Sequence, residues 1–452
     1  MRRAGRLSPL APLPHPPPAP ASRFLRVPTP IAPGDAPALL RALVRCDSRN
    51  PSLVPGAPGE ALAARTLASV LEGWGFRVTL ADALPGRPNV IARIGSAGRG
   101  RSLMLNGHLD VVGIDGMIHA PFDAAERDGR LYGRGSADMK AGVAAMCAAA
   151  ARAAAAHELP GEVIICAVAD EEWASAGTRA IVASGLRADA AIVTEPTSLA
   201  IMPAHRGFVW ITVEVAGRAA HGSRYDIGID AIRLAGLFLA ELDALDANVL
   251  PTHTHEILGH ASLHASTISG GTGMSTYPDH CTLRIERRTV PGETPASVLA
   301  EVNAACARLR ARRPEFTATV TMDLAQSPSD VAVNAPIVRA LATSIAVVSA
   351  ERRAPSAEPA PLAERRAPSA EPAPLAERRA PSAEPDIQGM SAWTDAALLN
   401  DAGIPAICYG PGDIALAHAA EEFVPLAELE TATRVMADLI ARWCGGSGPW
   451  PA

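Results

Sequence analysis

The chain has 452 residues, is 48% hydrophobic and carries a formal net charge of −6. That length suits two or three domains with a sizeable core, and the mild acidity argues against nucleic-acid or membrane-surface partners. No apolar run reaches the roughly 18 residues of a transmembrane helix, and the seven cysteines are scattered, odd in number and without a CxxC pair, as in a cytoplasmic protein with reduced thiols.

Residues 1–34 are rich in proline and arginine and have a basic start without the apolar stretch of a signal peptide. They are expected to form a disordered tail or an over-extended start. Folding should begin near Asp35, with PALLRALVRC a first helix and EALAARTLASVLEGWG a second, closed by Gly75. FRVTL and NVIARI read as strands. LMLNGH reads as a central strand buried on both faces, ending on His108-Leu109-Asp110. Asp138 opens the alanine-rich MKAGVAAMCAAAARAAAA, which is strongly helical. A carboxylate at a helix start is favoured by the dipole and the free amides, so Asp138 taken alone is explained as a cap. Lys140 is the only lysine, a composition bias rather than a functional choice. EVIICAVADEE is a buried strand running into Asp170-Glu171-Glu172, and AAIVTEP is another ending on Glu195. This alternation of strands and helices predicts an α/β domain with a largely parallel sheet.

The texture changes near Arg206. GFVWITVEVAG alternates apolar and polar residues as a half-exposed strand does. Two strand–helix–strand units follow, predicting an inserted α+β domain over residues 206–325. Further on, ERRAPSAEP starts at Glu351, Glu364 and Glu377, a step of 13 residues (351 to 364 to 377). The unit has too few apolar residues to bury a face, so residues 351–385 read as a disordered insertion in a surface loop. The α/β texture then resumes with SAWTDAALLNDAG as a helix, IPAICYGPG as a strand and turn, His418, and a final helix.

Each polar residue has a bland explanation by itself: a structural histidine, a cap, a solvated pair of glutamates. Taken together they share one feature. His108, Asp110, Asp138, Glu171, Glu172, Glu195 and His418 each follow an apolar strand or mark a helix start. In a parallel sheet those ends lie on one edge and the groups converge. So many carboxylates repel one another unless a cation neutralises them. Histidine and carboxylate ligands without cysteine suit zinc or a similar divalent ion.

The pieces GHLD, GRGSADMKAG, DEE, TEP, GRAAHGS and the late AH resemble the dinuclear zinc amidohydrolases that include acetylornithine deacetylase, succinyl-diaminopimelate desuccinylase, aminoacylase and the carboxypeptidase G group. The resemblance spans about residues 35–444. It implies a zinc-peptidase catalytic domain with a mostly parallel sheet, split into residues 35–205 and 326–452, with residues 206–325 as a lid and dimerisation domain. It implies two divalent ions, zinc first, with cobalt and manganese also suited to such ligands. His108 and Glu195 would hold one ion, Glu172 and His418 the other, and Asp138 would bridge them. Asp110 would accept the second ring N–H of His108, and Glu171 would be the general base. His221 would act from the lid, across the interface of a homodimer. Arg288 would bind the substrate carboxylate, and Ser275 stands where relatives carry a substrate-contacting asparagine. The implied activity is deacylation of small N-acyl amino acids, closest to acetylornithine deacetylases. The alternatives are a dipeptidase or carboxypeptidase of the same family, or a silent relative that only binds metal or ligand.

Overall fold

A computed structural model describes residues 30–353 and 385–446. The expected tail therefore lies largely outside the described residues, as do residues 354–384 of the repeat.

The central sheet is mixed. Its order is Arg77–Leu84, Arg87–Gly95, Glu162–Val168, Leu103–His108, Ala190–Val193, Ala406–Cys408, Ile201–His205 and Ser329–Asp330, with Ile387–Met390 also paired to Ile201–His205. The four strands at its centre, from Glu162–Val168 to Ala406–Cys408, run parallel. Antiparallel pairs flank them: the Arg77–Leu84/Arg87–Gly95 hairpin on one side, and Ile201–His205 with its neighbours Ala406–Cys408 and Ser329–Asp330 on the other. Burial falls off toward the Arg77–Leu84 edge. Leu103–His108 and Glu162–Val168 are buried throughout, whereas Arg77–Leu84 is half exposed.

Period-two alternation divides the central residues between two cores. Leu103, Leu105, Val163 and Ile165 join the core under helices Ala36–Val44, Lys140–Ala156 and Leu426–Gly445. Met104, Ile164, Cys166 and Val193 join the opposite core, under Ala176–Ala183 and Ala396–Asp401. The alanines of Lys140–Ala156 let that helix approach closely. Gly142 is the tightest point: a Cβ there would stand 1.8 Å from the Thr194 carbonyl. Only glycine lets the start of this helix meet the turn that carries Glu195.

A third hydrophobic cluster belongs mainly to the segment after Arg206. Its antiparallel sheet has the order Ser262–Gly270, His280–Thr289, Gly207–Ala216, Thr317–Gln326. Helices Ala231–Asn248 and Pro295–Arg312 contribute Phe238, Leu242, Val298 and Val302 to this cluster. Ser262–Gly270 is an edge strand, exposed over most of its length.

Some elements escaped the sequence reading. Helix Pro336–Arg353 takes in the first three residues of the repeat, Glu351 to Arg353, which had been grouped with the insertion. Glu351 pairs with Arg434 and Arg352 donates to Thr431, both on the final helix. The tandem pattern hid the helix because repetition marks where a unit recurs, not where the preceding element stops. A small sheet of Ala125–Arg127, Arg130–Tyr132 and Phe423–Pro425 was also missed. All seven cysteines are buried and free, and no helix of the described residues is long and apolar enough to cross a membrane.

Candidate metal centre

The parallel strands bring their C-terminal ends to one edge of the sheet, and the carboxylates and histidines gather there. His108 ends its strand almost fully buried. Its Nδ1 lies 2.9 Å from the main-chain carbonyl of Asp110. A carbonyl only accepts, so Nδ1 carries a proton and Nε2 is the ring atom that faces the acids. Nε2 stands 3.1 Å from Asp138 Oδ1 and 3.9 Å from Glu171 Oε2.

The other oxygen of Asp138 faces the second histidine: His418 Nε2 lies 3.5 Å from Asp138 Oδ2 and 3.0 Å from Glu172 Oε2. One carboxylate thus stands between two imidazoles contributed by distant parts of the chain. Asp138 does not cap the following helix. That helix starts at Lys140, its N-cap position is Met139, and no side chain caps it. The cap explanation therefore fails, and the carboxylate is free to face the histidines.

Asp110 departs from the expected arrangement. Its carboxylate stands 3.7 Å from His108 Nδ1, and it is the main-chain carbonyl that takes the ring N–H. The carboxylate instead accepts the amides of Glu171 and Glu172 at 3.1 Å each, and the Asn50 side-chain amide at 2.8 Å. Those three donors outcompete the imidazole, so Asp110 holds the turn carrying the two glutamates. The neighbouring Asp170 adopts a left-handed φ of 67°, a conformation Asp tolerates better than most residues. Arg87 and Asn50 hold it at 2.9 and 3.1 Å, and Arg87 is in turn paired with the buried Glu60.

Glu195 is buried after its strand, close enough to His108 and Glu171 to perturb both. Burial, together with the charges of Glu195, Asp395 and Glu172, pushes Glu171 well above the usual carboxylate range. Burial likewise raises Glu195, with Asp138, Asp395 and Glu172 adding to it. Burial alone would depress His108, but the Asp138 hydrogen bond and the surrounding carboxylates raise it well above its ordinary value. Burial and mutual repulsion among these carboxylates thus favour a positive charge between them. The donor set, two imidazoles with carboxylates and no thiol, fits divalent ions.

The candidate residues after Arg206 sit apart. His221 is exposed, with Nδ1 2.8 Å from Ser223 Oγ, and its backbone bridges Thr276. The exposed Ser275 accepts the Gly222 amide at 2.7 Å through its main-chain oxygen. Among the described residues no hydrogen bond or ion pair joins His221 or Ser275 to the carboxylate cluster. Arg288, on the strand His280–Thr289, donates to Glu286 at 3.1 Å and to the Ser391 carbonyl at 2.5 Å, over the Phe208 ring.

Several buried groups around the cluster gave no signal in the sequence. Asn50 stands in an ordinary polar stretch. Asp395 accepts from Thr178 Oγ1 at 2.6 Å, and the Asn106 side chain donates to the same Thr178 oxygen at 3.0 Å. Glu422 stands beside the exposed Glu421 and reads as half of a solvated pair. The one available hint is the apolar Phe423-Val424 that follows it.

Comparison with known proteins agrees with this geometry. The chain is 31% identical over 384 residues to an acetylornithine deacetylase of Myxococcus xanthus, covering 83% of this chain and 90% of that one. An M20 family metallo-carboxypeptidase from Sulfolobus solfataricus superposes with a TM-score of 0.71 at 17% identity, over 91% of this chain and 100% of that one. A dinuclear metal binding peptidase of the M20 family from Bacillus subtilis superposes with a TM-score of 0.64 at 15% identity, over 91% and 98%. The model of peptidase family M20/M25/M40 matches residues 104–442, a span that opens inside the His108 strand and closes in the last helix. The chain therefore belongs to peptidase family M20/M25/M40 and is a metal-dependent amidohydrolase.

Proposed function

We propose that the chain hydrolyses the amide bond of N-acyl L-amino acids, N-acetyl compounds first, using two zinc ions. The observation that carries this reading is the Asp138 carboxylate between His108 and His418, with Glu171 beside it. His108 and Glu195 would hold one ion and Glu172 and His418 the other, with Asp138 as the ligand common to both. Divalent ions held there would supply Lewis acidity, lowering the pKa of a water and polarising the amide carbonyl. Glu171 takes the water's proton and hands it to the leaving amine. Glu172 is committed as a ligand and cannot serve as base. Asp110 separates the two roles by gripping both main-chain amides and so fixing how the adjacent side chains diverge.

Arg288 binds the substrate α-carboxylate through its planar fork. The acyl side is read by the loop before His418. Ile414 is part-buried and packs against the core that includes Met104 and Cys408. It offers no hydrogen bond to a second acid group, and a site lacking such a donor forfeits that contact. N-acetylornithine is accordingly the first candidate substrate, consistent with the similarity to the Myxococcus xanthus acetylornithine deacetylase. Comparing kcat/KM for N-acetylornithine, other N-acetyl amino acids, N-succinyl-diaminopimelate and dipeptides tests the reading. The acetyl compounds should lead; preference for the succinyl compound refutes the argument from Ile414, and preference for dipeptides makes the chain a peptidase.

We assign His221 to the oxyanion of a partner subunit, in a homodimer formed by the lid. Three features support this. The edge strand Ser262–Gly270 is unpaired on its outer side, Ile232, Ile268 and Met274 are exposed, and His221 is itself exposed. His221→Ala is expected to lower kcat by about 10²–10³, and sedimentation should give a dimer. Near-normal turnover refutes the role, and an active monomer refutes the cross-subunit arrangement.

A further inference from the structure

His418 is the least supported of the convergent side chains. It projects from a loop whose only regular structure is the short turn Ile414–Leu416, it adopts a left-handed φ of 60°, and its side chain is 54% exposed. Asp138, by contrast, is buried and belongs to a different part of the chain. Something must hold the His418 loop at a set distance from Asp138.

Glu422, four residues after His418, is fully buried. Its Oε1 accepts the main-chain amides of Ala137 at 3.0 Å and of Asp138 itself at 3.2 Å. Its Oε2 accepts Arg134 Nη1 at 2.7 Å, and Arg134 Nε is anchored on the Gly113 carbonyl at 3.0 Å. The Glu422 main chain adds two further ties. Gly133 N donates to the Glu422 carbonyl at 3.2 Å, and Glu422 N donates to His119 Nε2 at 3.3 Å. The following strand, Phe423–Pro425, then pairs with Arg130–Tyr132.

We propose that Glu422 is a positioning residue: its carboxylate sets the spacing between His418 and Asp138, and with it the geometry in which the second ion is held. The inference rests on the assignment of Asp138 and His418 as ligands. Glu422 touches neither substrate nor ion. It acts through the Asp138 amide at one end and four residues of loop at the other. Length should therefore matter as much as charge. A residue that only neutralised the buried Arg134 would tolerate any carboxylate. A spacer would tolerate an isosteric amide, whose oxygen can still accept the Ala137 and Asp138 amides although its NH2 group cannot accept from Arg134, but not a shorter acid.

The test is titration of the metal-free full-length protein with zinc against a chromophoric chelator, repeated with cobalt to record the visible spectrum of each ion. Wild-type protein should take up two ions. Glu422→Asp keeps the charge and loses a methylene; it should bind one ion normally and the other about 10–100-fold more weakly, as is usual when a group supporting a ligand is disturbed. Its cobalt spectrum should change for that ion alone. Glu422→Gln should retain both ions. If both variants match wild type, or if Gln loses an ion whatever Asp does, the proposal is overturned. If Glu422→Asp does not fold, Glu422→Gln decides: two ions support the spacer and one refutes it. If the wild-type protein itself takes up fewer than two ions, the ligand assignment fails rather than the role of Glu422.

Discussion

Glu171→Ala is expected to reduce turnover by about 10²–10⁴-fold, the usual contribution of a positioned acid–base group, while leaving both ions bound. Glu171 Oε2 stands 3.9 Å from His108 Nε2, whereas Glu172 Oε2 stands 3.0 Å from His418 Nε2. The first distance leaves a carboxylate beside the cluster, and the second places one within direct reach of an imidazole. Glu172→Ala should therefore lose an ion where Glu171→Ala does not. Glu171→Gln refines the comparison, because it preserves shape and removes only the basicity. Elemental analysis of the purified variants alongside kcat checks the prediction. Equal metal loss in the Glu171 and Glu172 variants would show that the adjacent pair shares one role. Full turnover in Glu171→Gln would place the base elsewhere.

The second large effect concerns Asp138. Asp138→Ala is expected to abolish measurable turnover and to release both ions. Its two oxygens face different histidines, at 3.1 Å for His108 and 3.5 Å for His418. On the proposed assignment Asp138 is shared, and a shared ligand cannot be lost by one ion alone. The remaining carboxylates would then crowd without their bridge, and like charges that close cannot all stay ionised. Metal content measured after extensive dialysis distinguishes the outcomes. Retention of either ion at wild-type affinity would mean that Asp138 serves only one of them.

How much of this was legible in the chain depends on the range of the interaction. The buried strands Leu103–His108, Glu162–Val168 and Ala190–Val193 could be read from uninterrupted apolar runs, because coverage on both faces demands such runs. Parallel strands end on one edge, so the placement of His108, Glu171, Glu172 and Glu195 followed from local pattern. The antiparallel flanks did not follow: a strand's own residues state how deeply it is buried, not which way its neighbour runs.

The site divides in the same way. The residue types at the strand ends, and the need of so many acids for a cation, are properties of the sequence alone. Which atom of Asp110 meets His108 is not, since the choice depended on two amides about sixty positions downstream and on Asn50. Glu422 makes the point most plainly. Next to the exposed Glu421 it looks like surface, yet it is buried against amides some 284 positions earlier in the chain. Local sequence encodes backbone preference and burial because both act over a few residues. Only the folded chain decides which distant donor a buried carboxylate finds, because that choice is made by packing.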